Sequence, residues 1–447
     1  MSKGVLYLPI EIKQREYDAQ IFFSLKAAER GYTVFLGTHE AIYSLLRLNR
    51  SRNGLFLDKS LPNESRLKWL QKRCSYVWVL DAEVSPIHTS EVLQIELKSR
   101  VYEEGIKKID KFLVVGEMAE KAAISLFGTE SNKVLKSGWP RIDIAGNLGA
   151  EIYKKEISKI KSKHQSFFLF VSSFGSNRDP NEIQGQRRAT VYESTPLWGG
   201  EQTAQDIYLK FLFTVECLRA WDADPRVPRI IVRPHVGELK SVWRESLKGL
   251  TKTFIEDEGN AAPWIYASEG VIHQGSTISF QSYLAGKENM FFKSGALIEF
   301  SKIAEKMSEF VISQELKPVL QKDRISDHQN PKFNPEVIDR AIFNPEGGSS
   351  NFILDQIDIL DLGNVVEASS VKIVASQFRL SKIRRVIGLI RDEIYWKAKL
   401  ISIHPQSISI PGGLGKKEIN RMSRILDNVE KLEIKRKTLN LWKIAPK

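Results

Sequence analysis

The chain has 447 residues, 42% hydrophobic and 10% aromatic, which allows two or three domains with ample core and excludes wholesale disorder. Its two cysteines, Cys74 and Cys217, lie far apart without the Cys or His spacing of a zinc site; this excludes a disulfide framework and a structural metal and fits a reducing cytoplasm. The start of the sequence has no long apolar leader and no apolar run reaches membrane-spanning length, so neither a signal peptide nor a transmembrane helix is expected. The net charge of +12 is concentrated at the end, where residues 371–447 hold 18 Lys and Arg against 6 Asp and Glu. Such asymmetry predicts contact with an anionic surface.

In chain order, residues 5–10 predict a first strand, residues 19–30 a helix closed by Gly31, and residues 33–37 a second strand, a β-α-β opening without a Gly-x-Gly-x-x-Gly fingerprint. The charged stretch between that strand and helix, including Glu11, Lys13 and Arg15, lies where a strand's carboxyl end faces ligand, although a solvated first helical turn explains it equally well. Residues 39–50 predict a helix. Residues 77–80 predict a strand ending in Asp81-Ala82-Glu83, two carboxylates placed for general acid or base work, or simply for a solvated turn. Strands at 111–116 and 134–137 follow, with a helix between them, and the second runs into a Gly138-Trp139-Pro140-Arg141 turn.

A Lys- and Glu-rich segment at 147–165 marks a domain boundary. The apolar strand 167–171 then stops at Ser172 and Ser173, small hydroxyl residues that let a ligand approach closely. Residues 178–205 read as an insertion, and residues 206–222 as an amphipathic helix. Two further strand ends carry polar clusters: Ile230-Ile231-Val232 runs into Arg233-Pro-His235 and Glu238, and Val271-Ile272 into His273-Gln274-Gly275-Ser276-Thr277. About 40 residues apart, as one α/β repeat requires, they are expected to converge on one crevice, with Gly275 to Thr277 opening a helix whose N–H groups favour a phosphate. Taken singly, each cluster is also an ordinary strand exit or helix cap. Residues 315–350 read as irregular. In the tail, Ile383, Val386, Ile387, Ile390 and Ile394 line one helical face flanked by Lys and Arg, and Tyr395-Trp396 follow, a pattern suited to an anionic membrane plane or to docking on the protein itself.

Taken in order, residues 8–19, 36–37, 56–60, 80–83, 138–143 and 173–177, Arg233-Pro234-His235 and residues 273–277 resemble the bacterial surface carbohydrate biosynthesis proteins. That resemblance implies an α/β GT-B-like fold: two Rossmann-like domains facing a central cleft, acceptor mostly on the first and nucleotide sugar mostly on the second. The expected division is 1–150, 151–350 and a basic helical tail at 351–447 for membrane or interdomain contact. The acidic motif after a first-domain strand and the His motif in the second are similar to those of CMP-dependent sialyl and Kdo transferases. The resemblance therefore implies Asp81 or Glu83 as catalytic acid or base and His235 as support for the departing phosphate. Ser172, Ser173, Arg233, Glu238, His273, Gln274, Gly275, Ser276 and Thr277 are expected at the donor, and Glu11, Lys13, Arg15 and Arg141 at the acceptor or cleft. Ala82, Val84 and Val236 depart from the family pattern.

The expectation is a metal-independent cytoplasmic glycosyltransferase without a cofactor, peripheral at the inner face of the cell membrane through its tail. It would transfer a sugar, with a CMP-linked ulosonic acid as the finer reading, to a glycan or lipid-linked acceptor. The alternatives are a non-catalytic subunit of the same fold and a UDP-sugar transferase or epimerase. Nucleic-acid binding is not expected, because no aromatic-basic recognition module is present.

Overall fold

The computed structural model describes residues 2–48, 52–61, 63–81, 90–102, 104–175, 177–181, 204–235, 237–294, 302–312, 332–363, 414–438 and 440–447. The chain divides into two compact units, one of residues 1–83, 96–144 and 341–447, the other of 84–95 and 145–340.

In the first unit, the strands β1 (Gly4–Ile10), β2 (Tyr32–Thr38), β3 (Leu55–Asp58), β4 (Tyr76–Asp81), β5 (Lys111–Val114) and β6 (Val134–Lys136) pair in parallel in the order β2-β1-β3-β4-β5-β6. Every residue of β1 and β2 is buried, as expected of parallel strands covered on both faces, and this is why they read as nearly continuous apolar runs. The strand order reverses between β1 and β3, where connecting helices leave to opposite faces and a crevice opens at the carboxyl ends.

The second unit carries β7 (Phe167–Val171), β8 (Arg229–Arg233), β9 (Thr253–Ile255), β10 (Gly270–His273), β11 (Glu288–Phe292) and β12 (Phe310–Ile312), all parallel, in the order β12-β11-β10-β7-β8-β9. This is the dinucleotide-fold order, with its reversal between β7 and β10. Strand periodicity sorts the core. Phe168, Phe170, Ile230, Val232 and Ile272 pack on one face with Phe211, Trp221 and Trp243, while Phe167, Leu169, Val171, Ile231 and Val271 pack on the other with Trp264 and Ile265. Each large side chain buried in this way stabilises the fold by about 1.5–3 kcal/mol relative to exposure.

The α/β fold class and its two Rossmann-like units are as the sequence predicts. The tail is not helical throughout. Helices occupy Ser349–Ile357 and Lys416–Met422, but the chain ends in β13 (Leu432–Thr438) and β14 (Leu441–Pro446), an antiparallel hairpin that extends the first sheet through β14 against β2. Leu432 and Ile434 alternate with charged residues at period two, a pattern that favours a strand once β14 offers an edge. Gly37 permits this docking, since a Cβ there would lie 2.6 Å from the Asn440 carbonyl oxygen. Trp442 Nε1 ties the hairpin to the Leu414 carbonyl (3.0 Å), and the segment leading into it is held on helix Lys13–Glu29 by Tyr17 donating to the Gly415 carbonyl (3.0 Å) and an Arg421–Asp18 ion pair (2.7 Å).

The amphipathic segment at 383–396 and most of the insertion at 178–205 lie outside the described residues. The stretch expected to be irregular contains helix Val337–Ala341 and the start of Ser349–Ile357. Among the described residues, no helix is long and apolar enough to cross a membrane.

Candidate functional site

The carboxyl ends of β7, β8 and β10 bring most of the expected donor residues to one edge of the second sheet, at its reversal point. Their organising group is Glu238, which is buried and accepts four hydrogen bonds: from Ser172 Oγ (2.5 Å), Trp243 Nε1 (2.7 Å), Phe174 N–H (2.9 Å) and His235 N–H (3.3 Å). Burial pushes its pKa up to about 7 against the opposing pull of these donors. Ser172 Oγ also accepts from His235 N–H at 3.0 Å, so one carboxylate and one hydroxyl lock the loop after β7 to the loop after β8. Asn177 reinforces the lock by exchanging two hydrogen bonds with the Leu239 backbone, at 2.7 and 3.0 Å. A Cβ at Gly237 would lie 2.6 Å from the Gly175 carbonyl oxygen, so the loops meet closely enough to require glycine.

The two histidines share a local geometry. His235 Nδ1 accepts the Gly237 N–H and His273 Nδ1 accepts the Gly275 N–H, each at 3.2 Å, which places the ring proton on Nε2 in both neutral rings. Their surroundings differ. His235 is half-buried, whereas His273 is fully buried with Nε2 against Ser308 Oγ at 3.1 Å, and burial pushes its pKa down to about 3. His273 therefore shapes the Gly275 turn, where φ is +93°, with both ring nitrogens engaged inside the unit.

Arg233, expected at the donor, is engaged inside the unit. It is buried, donates to the Glu258 and Gly259 carbonyls at 3.0 and 2.8 Å and lies 5.4 Å from the Trp264 ring centroid. Its guanidinium holds the loop after β9; burial depresses its pKa to about 10 without discharging it at neutral pH.

Gln274 is directed by Nε2 contacts to Ser294 Oγ (3.1 Å) and Thr214 Oγ1 (3.3 Å), and the Ser173 hydroxyl lies 3.5 Å from its carbonyl oxygen. Beyond Gly275, Ser276 Oγ accepts the Ile278 N–H at 3.3 Å and caps helix Ile278–Leu284, whose N-cap residue Thr277 makes no side-chain cap. Among the described residues, the N–H groups of Ser276 and Thr277 have no hydrogen-bond acceptor. Two adjacent unengaged N–H groups on half-buried backbone, beside a helix start, are able to hold an anionic oxygen.

In the first unit, Asp81 is buried and ion-paired with Arg100 Nε at 2.8 Å, an arrangement that holds the carboxylate in place. Glu83 lies outside the described residues. Arg15 and Arg141 line a cavity of about 60 Å³ at the β1/β3 reversal, together with Pro9, Glu16, Asp58, Lys59 and Trp139. Glu11 reaches the site indirectly by pairing with Lys59, which also pairs with Glu16 at 3.0 Å. Lys13 turns away to Glu418 at 3.2 Å.

Asp58 and Lys59 are central here; residues 56–60 carry part of the resemblance, yet neither was expected at the site. The available signal was an Asp-Lys pair at the end of the short apolar strand 55–58. Asp58 is fully buried, bound to His39 Nε2 at 3.1 Å and to Arg66; burial raises its pKa, but those two partners outweigh it and hold the carboxyl below its usual range. Trp243, which helps hold the second unit's site together, looks like an ordinary interior residue until its partner is known, and Asn177, within the stretch 173–177 that carries part of the resemblance, was given no role of its own. No three His, Cys, Asp or Glu side chains among the described residues gather as a metal site.

No protein-family model matches the chain, and no curated protein matches it. Among solved structures it is similar to the wall teichoic acid polymerase TagF, at 12% identity over 79% of this chain and 88% of that one, with a TM-score of 0.44. It is also similar to S. aureus MnaA in a co-structure with UDP, at 13% identity over 79% and 96% of the two chains, TM-score 0.46. A putative UDP-N-acetylglucosamine 2-epimerase from Listeria monocytogenes matches at 12% identity over 82% and 100%, TM-score 0.47. Likenesses this distant assign neither substrate nor reaction to this chain.

Proposed function

We propose that the chain is a sugar-nucleotide-dependent glycosyltransferase of surface polysaccharide synthesis, with the donor's phosphate held at the β7/β10 reversal of the second unit. The observation that supports this reading is the pair of N–H groups at Ser276 and Thr277 that have no acceptor among the described residues, at the same sheet edge as His235 and the Glu238-locked loops. Transfer breaks the bond between the anomeric carbon and the phosphate oxygen. The leaving phosphate then gains negative charge that N–H donors and His235 Nε2–H stabilise. The acceptor hydroxyl attacks the anomeric carbon and gives up its proton to a base. With Asp81 tied to Arg100, Glu83 is the proposed base and Asp81 its positioning neighbour. Glu238, His273 and Arg233 act as positioning residues.

A CMP-linked ulosonic acid is the proposed donor, and a glycan or lipid-linked acceptor at the inner membrane face the proposed destination. A second reading, a non-catalytic nucleotide-binding subunit, draws on the ion-paired state of Asp81.

The test is thermal stabilisation of the full chain by CMP, CDP, UDP and GDP, because a ligand that binds only the folded state stabilises it by about 2.7 kcal/mol at a hundredfold excess over Kd. The expected result is a shift with CMP that His235→Ala removes, followed by sugar transfer that Glu83→Gln abolishes. A shift with UDP alone would replace the CMP donor with a UDP-sugar. Nucleotide binding without any turnover would leave the non-catalytic reading, and no shift with any nucleotide would sink the donor site.

A further inference from the structure

We infer that Lys210 is a binding residue of the donor site, whose ammonium meets the phosphate oxygens of the sugar nucleotide together with the Ser276 and Thr277 N–H groups. This role rests on the donor-site reading above, to which it adds a cation. Arg233, the cation expected there, is engaged by the Glu258 and Gly259 carbonyls.

Lys210 is placed by helix Ala204–Ala223, which connects β7 to β8 and runs back along the sheet. The last turn of the helix lies at the amino ends of the strands, where the Asp222 carboxylate accepts the N–H groups of Thr251 and Lys252, at 3.0 and 2.8 Å, immediately before β9. Its middle lies at the carboxyl end of β10, where Gln274 Nε2 donates to Thr214 Oγ1 at 3.3 Å. Thr214 Oγ1 donates in turn to the Lys210 carbonyl at 2.8 Å, so two hydrogen bonds in series join the residue after β10 to the turn that carries Lys210. Lys210 is one turn nearer the helix start, about 6 Å further along the axis, which puts it beyond the strand ends. Residues four apart share a helix face, so Lys210 stands on the face that meets Gln274. Helical side chains also tilt toward the N-terminus, which carries the ammonium further out over the same edge. Ser276 and Thr277 follow Gln274 almost directly at that edge.

The electrostatics agree with this placement. Lys210 is half-buried, and among the described residues its ammonium has neither an ion pair nor a hydrogen-bond acceptor. Burial lowers its pKa from the ordinary lysine value, and the attraction of Asp206, one turn earlier, does not outweigh it. An ammonium withdrawn from water without a partner raises the free energy of the empty protein, and an anion arriving beside it offsets that penalty. Solvent-facing lysines of the same unit carry no such penalty: Lys248 is exposed and stands near Glu245.

The two backbone N–H groups supply direction but no net charge. The ammonium supplies the charge that the phosphate needs as its bond to the sugar breaks and its oxygens become more negative. As a compact point charge on a flexible stem, it serves a nucleoside monophosphate or diphosphate donor alike.

The experiment is calorimetric titration of the full chain with CMP, CDP, UDP and GDP and with the parent nucleosides, for the wild type, Lys210→Met and Lys210→Arg, after the melting temperature of each ligand-free protein has been measured. Lys210→Met is expected to melt no lower than the wild type, because it removes an unpaired, half-buried charge. It is nevertheless expected to bind the wild type's nucleotide about tenfold or more weakly, with nucleoside binding unaffected, while Lys210→Arg stays within about threefold of wild type. Undiminished nucleotide affinity in Lys210→Met would overturn the inference, and so would an equal loss for the nucleoside. A loss in Lys210→Arg as large as in Lys210→Met would show that charge is not what Lys210 supplies. Weaker binding accompanied by a lower melting temperature in Lys210→Met would make the lysine structural and overturn the inference as well. Failure of the wild type to bind any of the nucleotides sinks the donor-site reading and this role with it; wild-type binding that survives Lys210→Met removes this role alone.

Discussion

Glu238 shows how a single buried carboxylate organises a ligand-binding edge. Its four donors come from the loop after β7, the loop after β8 and helix Lys240–Ser246, so removing one acceptor oxygen affects all three. In Glu238→Gln an amide NH₂ would face N–H or O–H donors. The expected loss is about 1–3 kcal/mol of stability, read by urea unfolding as a lower midpoint with an unchanged slope; an unchanged midpoint would contradict the role given to Glu238. Its ionisation also sets a pH dependence. The folded pKa of about 7 lies above the ordinary 4.5, so the folded state retains its proton to higher pH and this contribution, full below 4.5, is lost as pH rises through 7. His273 has the opposite sign: with a folded pKa of about 3 against an ordinary 6.5, its contribution is present above 6.5 and lost as pH falls toward 3. Each is limited to about 1.4 kcal/mol per pH unit, and they oppose one another between 4.5 and 6.5. Melting temperature followed against pH is expected to fall less steeply below 4.5 in His273→Asn, which keeps an acceptor for the Gly275 N–H, and less steeply between 6.5 and 7 in Glu238→Gln.

At the scale of elements, the terminal hairpin is a part of the first sheet and not an appendage. Register pairs Leu441 with Gly37 and Ile444 with Val34, and the Thr38 N–H donates to the Asn440 carbonyl at 3.0 Å. In Gly37→Ala the new Cβ would meet that carbonyl oxygen at 2.6 Å and Leu441 Cδ1 at 2.8 Å; the first is backbone and yields only if β14 shifts on β2. The expected cost is about 1–3 kcal/mol in chemical unfolding. Faster hydrogen exchange in β14, with β4 and β5 unaffected, would locate the damage; wild-type exchange in β14 would show that the hairpin accommodates the methyl group. The central strands were legible because burial on both faces demands continuous apolar runs, and β1, β7, β8 and β10 are such runs. The hairpin was not, because β13 is a half-solvated edge strand whose Lys- and Arg-rich composition is equally suited to a helix, and β14, though buried, becomes an interior strand only once it pairs with β2.

At the scale of the whole chain, residues 341–447 return to the first unit. The return is anchored by Asp143, whose carboxylate accepts the N–H groups of Ser349 and Ser350 at 2.9 and 2.7 Å and so caps helix Ser349–Ile357 across more than 200 residues of sequence. Hydrogen exchange with a nucleotide is expected to protect residues 172–175, 237–239 and 275–280; unchanged exchange there would contradict the donor site proposed at the β7/β10 reversal.

By itself the sequence determined the α/β class, the succession of strands and the polar residues at their carboxyl ends, because burial and periodicity are local properties that composition records directly. Only the tertiary structure decided which of those polar residues are taken up in holding the loops. Arg233 and His273 look like ligand groups in the sequence, but the Glu258 and Gly259 carbonyls engage one and Ser308 the other, while Asp58 and Lys59 become a site only beside residues from three other segments. A side chain's role depends on what saturates its hydrogen-bonding and charge, and those partners are distant in the chain.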